Sequence, residues 1–280
     1  MAIGPDGNLY VTESNTVASR VLKFGRVNAD GLTRNFLGNA VTPITSYGLV
    51  HPYYLTFDPL GNLYMTAQNT NIVLRVFGPN SPLFGTAMPL STFLQENYPN
   101  GIFAPGTFIP ASTARPDVPP FTSVPTTQGG LTLLGPNSVR GMAFGPNHTV
   151  YVADQAHNRV AVYDSDSGAL LQIVADSHTQ LPVQVFYNIH DGLIYIGCPG
   201  SNRIQRYDPN TNILSDFIHD STHLGTVSGI AFGEDGNFYA ANRSDMKIYK
   251  YDSSGSFIGQ FGPTFTDSPE GIMPVYDTYP

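Results

Sequence analysis

Tryptophan is absent from this chain, cysteine occurs once, and only 12% of residues are charged, with just three lysines (Lys23, Lys247 and Lys250). The single thiol, Cys198, excludes an internal disulfide, and at the end of an apolar run it reads as a small buried side chain. The 13 basic residues are outnumbered by 21 acidic ones, for a net charge of -8. Phosphate binding needs clustered cations, and the lysines here are scattered, so a nucleic-acid surface is excluded. No stretch approaches the roughly 18 apolar residues of a membrane helix, and a soluble, monomeric protein without a membrane partner is expected. Sustained helical periodicity is missing as well. Without tryptophan, any sugar stacking would fall to tyrosine.

What the chain does have is repetition. The stretch 139–163 reads Gly141-Met142-Ala143-Phe144-Gly145-Pro146, a turn, Val150-Tyr151-Val152-Ala153-Asp154, a polar loop, then Arg159 to Tyr163. Tyr151, Tyr195 and Tyr239 follow one another at steps of 44 residues, and the same steps superpose Asp164, Asp208 and Asp252, and Arg159, Arg203 and Lys247. Weaker copies begin at residues 2 and 53. β-Branched and aromatic runs joined by Asp-Gly and Gly-Asn turns give four short strands per period, the pattern of a β-propeller blade.

The repeat tyrosines at 10, 64, 151, 195 and 239 leave one gap of 87 residues, close to two periods. It holds a Pro-rich tract at about 79–134, whose prolines cannot donate to a sheet ladder. The spacing predicts a degenerate blade there, using 89–93 and 101–108, with an excursion around 111–128. The count becomes six. Residues 269–272 resemble the start of another innermost strand, while residues 2–10 begin where such a strand ends. The expectation is therefore an all-β, six-bladed propeller of four-stranded antiparallel blades, one domain over 1–280, closed by pairing of the N- and C-terminal strands.

The blade Gly-Ile-Ala-Phe, Gly-Asn-Leu/Phe-Tyr-Val-Ala-Asp, Asn-Arg-Val/Ile, Val-Tyr-Asp resembles the NHL-repeat propellers and the neighbouring SMP-30/gluconolactonase-like group over about 180 residues. Residues 4–13 also look like a motif of the virginiamycin B lyase propellers, lacking its usual tryptophan. Such propellers include lyases, lactonases, amidating enzymes, lectins and protein-binding scaffolds, so the resemblance implies a fold and leaves the function open.

In a propeller, columns of the repeat become rings around one mouth of the channel. The column before the innermost-strand glycine holds Tyr53, Arg140, Gln184, Ser228 and Glu270; the column ending the second strand holds Glu13, Ala67, Asp154, Cys198 and Asn242. The resemblance to the lactonases implies oxygen ligands for a divalent metal in the first column. Only Glu270 matches by type, and Arg140 would put a permanent cation there. A shifted set, Glu13, Asp154, Asn242 and Glu270, offers hard oxygens suited to Ca²⁺ or Mg²⁺. The alternative is that Arg140 neutralises Glu270 or Asp154.

Asp164, Asp208 and Asp252 recur in every clear blade and read as turn caps, with Arg159, Arg203 and Lys247 also structural. Departures from the repeat point to function instead. They nominate Arg140, Glu270, His51 and Asp154 as catalytic candidates, and Tyr53, His157, Gln184, Ser228 and Asn242 as ligand contacts. Low charge and two glycosylation-type triplets, Asn147-His148-Thr149 and Asn242-Arg243-Ser244, lean towards a secreted protein. Two functions follow. The first is binding of a small ligand, glycan or protein at one propeller face; the second is a hydrolase, lyase or isomerase at the channel mouth.

Overall fold

The computed structural model describes residues 1–14, 19–42, 48–111, 127–128, 131–132 and 139–273. Its strands fall into four-stranded antiparallel sheets, each laid down in simple sequence order. The first sheet is β1 (Ala2–Ile3), β2 (Leu9–Glu13), β3 (Arg20–Val27) and β4 (Arg34–Val41). The second is β5 (Pro52–Phe57), β6 (Leu63–Ala67), β7 (Ile72–Val76) and, after the short helix α1 (Thr92–Asn97), β8 (Thr107–Ile109). A two-stranded hairpin, β9 (Thr127–Gln128) and β10 (Leu131–Thr132), follows.

Three regular sheets complete the chain. They are β11 (Val139–Gly145), β12 (Thr149–Asp154), β13 (Arg159–Asp164) and β14 (Leu170–Val174); β15 (Gln184–Asn188), β16 (Leu193–Cys198), β17 (Arg203–Asp208) and β18 (Ile213–His219); and β19 (Val227–Phe232), β20 (Phe238–Asn242), β21 (Lys247–Tyr251) and β22 (Phe257–Phe261). This is an all-β propeller of four-stranded antiparallel blades, with five blades among the described residues. The chain forms two compact units, Met1–Gly141 with Tyr163–Leu171, and Met142–Val162 with Gln172–Pro280.

In the first blade Ala2 and Ile3 pair with Tyr10 and Leu9, and the expected pairing of a C-terminal strand with these N-terminal ones falls partly on residues 274–280, outside the described residues. Among the described residues the C-terminal segment forms no strand; it lies against the last blade, where a Cβ on Gly229 would sit 2.5 Å from the Ile272 nitrogen. One expectation is corrected, that for the tract after Gly78. Residues 92–97 are helical, and Thr107–Ile109 return as the outer strand of the second blade, with Val73 opposite Ile109 and Leu74 opposite Thr107. Proline excludes a regular ladder from most of the tract, so its apolar residues serve the existing blade instead. The rest of the expected hidden blade, including 112–126, lies outside the described residues.

The repeat letters have a packing cause. In three blades the tyrosine of the second strand reaches back to the turn before it: the hydroxyls of Tyr10, Tyr195 and Tyr239 donate to Asp6, Asp191 and Asp235 at 2.9, 2.8 and 2.7 Å. The ring occupies the space beside the glycine that ends the first strand. A Cβ on Gly4, Gly145 or Gly233 would stand 2.6, 2.6 or 2.8 Å from the ring of Tyr10, Tyr151 or Tyr239. Glycine, aspartate and tyrosine form one complete device in the first and fifth blades, while the third keeps the glycine and tyrosine and the fourth the aspartate and tyrosine.

In the first unit, buried Tyr10 meets Phe57 edge-on at 5.1 Å between ring centroids and joins Val21, Leu55, Met65 and Leu74 in one core. In the second unit, Tyr195 contacts Phe217, Phe232 and Phe238 at 5.1, 4.9 and 5.9 Å. The edge-to-face pairs among these, Tyr10–Phe57, Tyr195–Phe217 and Tyr195–Phe232, contribute about 0.5–1.5 kcal/mol each beyond the area they bury.

Candidate functional site

In the first unit the starts of β5 and β11 carry the nominated groups. His51 has a left-handed backbone (φ 55°); its N–H donates to the Ser19 hydroxyl at 3.1 Å and its carbonyl accepts from Gln68 N–H at 3.0 Å. The start of β11 is pinned by Asn71, whose Oδ1 accepts the Val139 N–H at 3.0 Å. Asn158 does the same one blade on, accepting the Leu181 N–H at 2.8 Å. Both asparagines are left-handed, at φ 60° and 51°, a conformation asparagine tolerates better than most residues. With its backbone held this way, Arg140 lays its guanidinium over Tyr53, 5.3 Å from the ring centroid, and one of its N–H groups donates to the Val139 carbonyl at 3.1 Å. Both side chains are half-buried. A cation over an aromatic face gains about 0.5–2 kcal/mol, more as water is excluded.

In the second unit the end of β12 carries a denser cluster. Asp154 is fully buried and receives Arg159 Nε and Nη2 at 2.7 and 2.6 Å. Its carboxylate also meets His157 Nδ1 at 2.9 and 3.0 Å. The 3₁₀ turn Gln155–His157, closed by left-handed Asn158, brings the histidine back onto the aspartate. Asp154 thus neutralises a buried guanidinium and orients an imidazole whose side chain is 37% exposed. Sequence reading nominated Asp154 and His157 but treated Arg159 as a repeat residue. Its role follows from Asp154, because a carboxylate at 0% exposure requires a partner cation.

Asp154 pairs with Arg159, and Glu270 Oε1 meets Arg243 Nη2 at 3.0 Å on the exposed surface. Glu13 pairs with Arg20 across β2 and β3, and that hydrogen bond, foremost, draws its carboxyl below the usual range. Buried Gln184 lies in β15. Buried Ser228 donates to the Pro269 carbonyl at 2.6 Å, holding the C-terminal segment. Asn242 is a loop hub: its Nδ2 donates to the His223 carbonyl at 2.7 Å, and its Oδ1 accepts from Thr226, from Ser244 N–H at 3.1 Å and from the Ser244 hydroxyl at 2.9 Å.

Among the described residues no three His, Cys, Asp or Glu side chains gather with metal-binding geometry. The proposed oxygen ligands do not fit a divalent ion. Glu13, Asp154 and Glu270 are each neutralised by an arginine, and the Asn242 carbonyl oxygen is used by its own loop. No helix among the described residues is long and apolar enough to cross a membrane.

Cys198, at the position equivalent to Asp154, is fully buried, and burial pushes its thiol far above the usual range, so it is inert. The repeated aspartates cap turns: Asp164 accepts from Ser167 N–H and Oγ at 2.7 and 2.6 Å, and Asp208 from Asn210 N–H and Thr211 Oγ1, both at 2.8 Å. Asp252 does likewise with Ser254.

No protein-family model matches the sequence, and no curated protein does. Solved structures do. The selenomethionine-substituted virginiamycin B lyase from Staphylococcus aureus matches with a TM-score of 0.57 at 16% identity, over 98% of this chain and 73% of that one. A streptogramin B lyase gives 0.53 at 14%, over 98% and 75%. A chain of the nidogen/laminin complex gives 0.60 at 13%, over 96% and 81%. A lyase and a chain of the nidogen/laminin complex are thus matched about equally well. At such identities the likeness fixes the architecture alone: this chain is a β-propeller similar to those of the virginiamycin B lyase and nidogen.

Proposed function

We propose that this chain is an NHL-like, secreted, monomeric β-propeller that binds a small ligand, glycan or protein partner at the blade end where β5 and β11 begin. The observation that carries this reading is Arg140 stacked on Tyr53. A guanidinium held flat on an aromatic ring is a rigid fork of donors, suited to a carboxylate, sulfate or phosphate presented edge-on. The ligand class is therefore an acidic glycan, peptide or small organic acid. The nominated acids support binding over turnover, because each is neutralised by an arginine of its own neighbourhood.

A thermal-shift panel of acidic glycans, acidic peptides and small carboxylates tests it. A ligand at about a hundred times its dissociation constant adds roughly 2.7 kcal/mol. The reading expects such a ligand to raise the melting temperature of the wild-type protein and to lose that effect on Arg140→Ala. A ligand whose effect survives the substitution contradicts it.

A second reading, an enzyme of the hydrolase, lyase or isomerase class, is favoured by one feature. Asp154 fixes the Nδ1 side of His157, and this arrangement presents the other ring nitrogen as a general acid or base. One matched structure is a virginiamycin B lyase from Staphylococcus aureus whose histidine-to-alanine form is described as catalytically inactive, with quinupristin bound. Under this reading His157→Gln abolishes turnover of a lactone substrate while the melting temperature stays within about 1 °C, a change of well under 1 kcal/mol. Unchanged turnover removes His157 from the chemistry.

A further inference from the structure

The two glycosylation-type triplets occupy very different places, and the structure separates them. Asn147 and His148 are the two central residues of the turn between β11 and β12, with φ 56° at both, the backbone of a tight two-residue hairpin. Both are exposed. The third residue, Thr149, starts β12 and donates its hydroxyl to the Pro146 carbonyl at 2.6 Å, so the Asn147 side chain is not needed to hold the turn. Asn242 is the opposite case. It is 2% exposed, its Nδ2 donates to the His223 carbonyl at 2.7 Å, and its Oδ1 gathers the Thr226 and Ser244 donors.

We infer that Asn147 is an N-glycan acceptor and that Asn242 is not. In the transfer, the Asn147 amide nitrogen forms a bond to the anomeric carbon of a lipid-pyrophosphate-linked oligosaccharide. The bond from that carbon to the pyrophosphate oxygen breaks, the lipid pyrophosphate leaves with the electron pair, and the amide loses one proton. The folded protein accepts the product at Asn147 because that residue is exposed at the tip of the turn. At Asn242 the sugar would occupy the space of the loop around His223, Thr226 and Ser244, and the last blade could not close on it. Asn147 lies at the opposite end of β12 from Asp154 and His157, so a glycan there leaves that cluster open.

The test is expression of the whole chain behind a secretion signal in a eukaryotic host, followed by peptide mapping of the secreted protein with and without peptide N-glycosidase. The expected result is a glycan on Asn147, abolished in Asn147→Gln and in Thr149→Ala, and unmodified Asn242, with Asn242→Gln leaving the glycan mass unchanged. Secreted protein with bare Asn147, or with a glycan on Asn242, overturns the inference. Cell-free translation with microsomes covers poor secretion: the wild-type chain must run one glycan heavier than Asn147→Gln, and equal mobility overturns the assignment.

Discussion

The fourth and fifth blades are built from the same letters 44 residues apart, yet they spend them differently. Tyr195 is 3% exposed and enclosed by Phe217, Phe232 and Phe238. Its counterpart Tyr239 is half-buried, touching exposed Phe261 at 4.9 Å with the Lys250 ammonium 5.5 Å from its ring. Ile204 is fully buried, while its counterpart Ile248 helps line a groove of about 300 Å³ with Tyr239, Phe261 and Ile272. At the end of the second strand, Cys198 is an inert buried thiol and Asn242 a hub of loop hydrogen bonds. In the third blade the same position is Asp154, which holds a cation and a histidine. Identical positions build the blade; the positions that differ decide what each blade end does.

The contrast is sharpest in the tyrosines. Tyr195→Ala empties a closed aromatic cluster and is expected to cost about 3–5 kcal/mol, whereas Tyr239→Ala opens a site already in contact with solvent and is expected to cost about 1 kcal/mol. Denaturant unfolding of the two variants measures the difference, and equal losses would break the comparison. Removing Asp154 tests the third blade at a similar magnitude: Asp154→Ala strands buried Arg159 without its partner, for an expected loss of about 3–5 kcal/mol. The double variant Asp154→Ala/Arg159→Met should recover much of that loss.

Smaller effects separate Cys198 from Asn242. Cys198→Ala is expected to cost about 1 kcal/mol and Asn242→Ala about 2 kcal/mol, since the second leaves buried donors and acceptors of the loop without partners. The native thiol should resist alkylation and react fully only after denaturation.

The smallest effect is an acid one. Asp220, between the fourth and fifth blades, has a carboxyl below the usual range: burial pushes it up, but hydrogen bonds from His223, the Thr222 N–H and the Tyr251 hydroxyl outweigh this. The folded-state value lies below the unfolded one, so the stabilisation is complete above the ordinary carboxylate range, about pH 4, and is lost as pH falls through the folded value. Acid titration of the melting temperature should therefore be shallower for Asp220→Asn than for the wild-type protein.

Much of this was legible in the letters. The 44-residue step marked the last three blades, the turn aspartates were recognised as caps, and the departures at Arg140 and Asp154 were visible in the repeat columns, with His157 in the loop that follows Asp154. What escaped depended on pairing over distance. Ala2 and Ile3 are too few residues to announce a strand, and only their register with Tyr10 and Leu9 defines β1. Thr107 finds Leu74 across an intervening helix, a non-local contact that no periodicity encodes. Glu270 was placed by its repeat column, but Arg243, in a neighbouring loop, captures it. The Arg140–Tyr53 contact joins two members of one column already singled out, although nothing in either strand alone shows that the two side chains meet.

The most direct test of the account is a calorimetric titration of an acidic ligand into the wild-type protein and into Arg140→Ala. The account predicts saturable 1:1 binding to the wild type, weakened at least tenfold by the substitution, with Asp252→Asn, a turn-cap change, binding as the wild type does. Equal affinity for wild type and Arg140→Ala would contradict it.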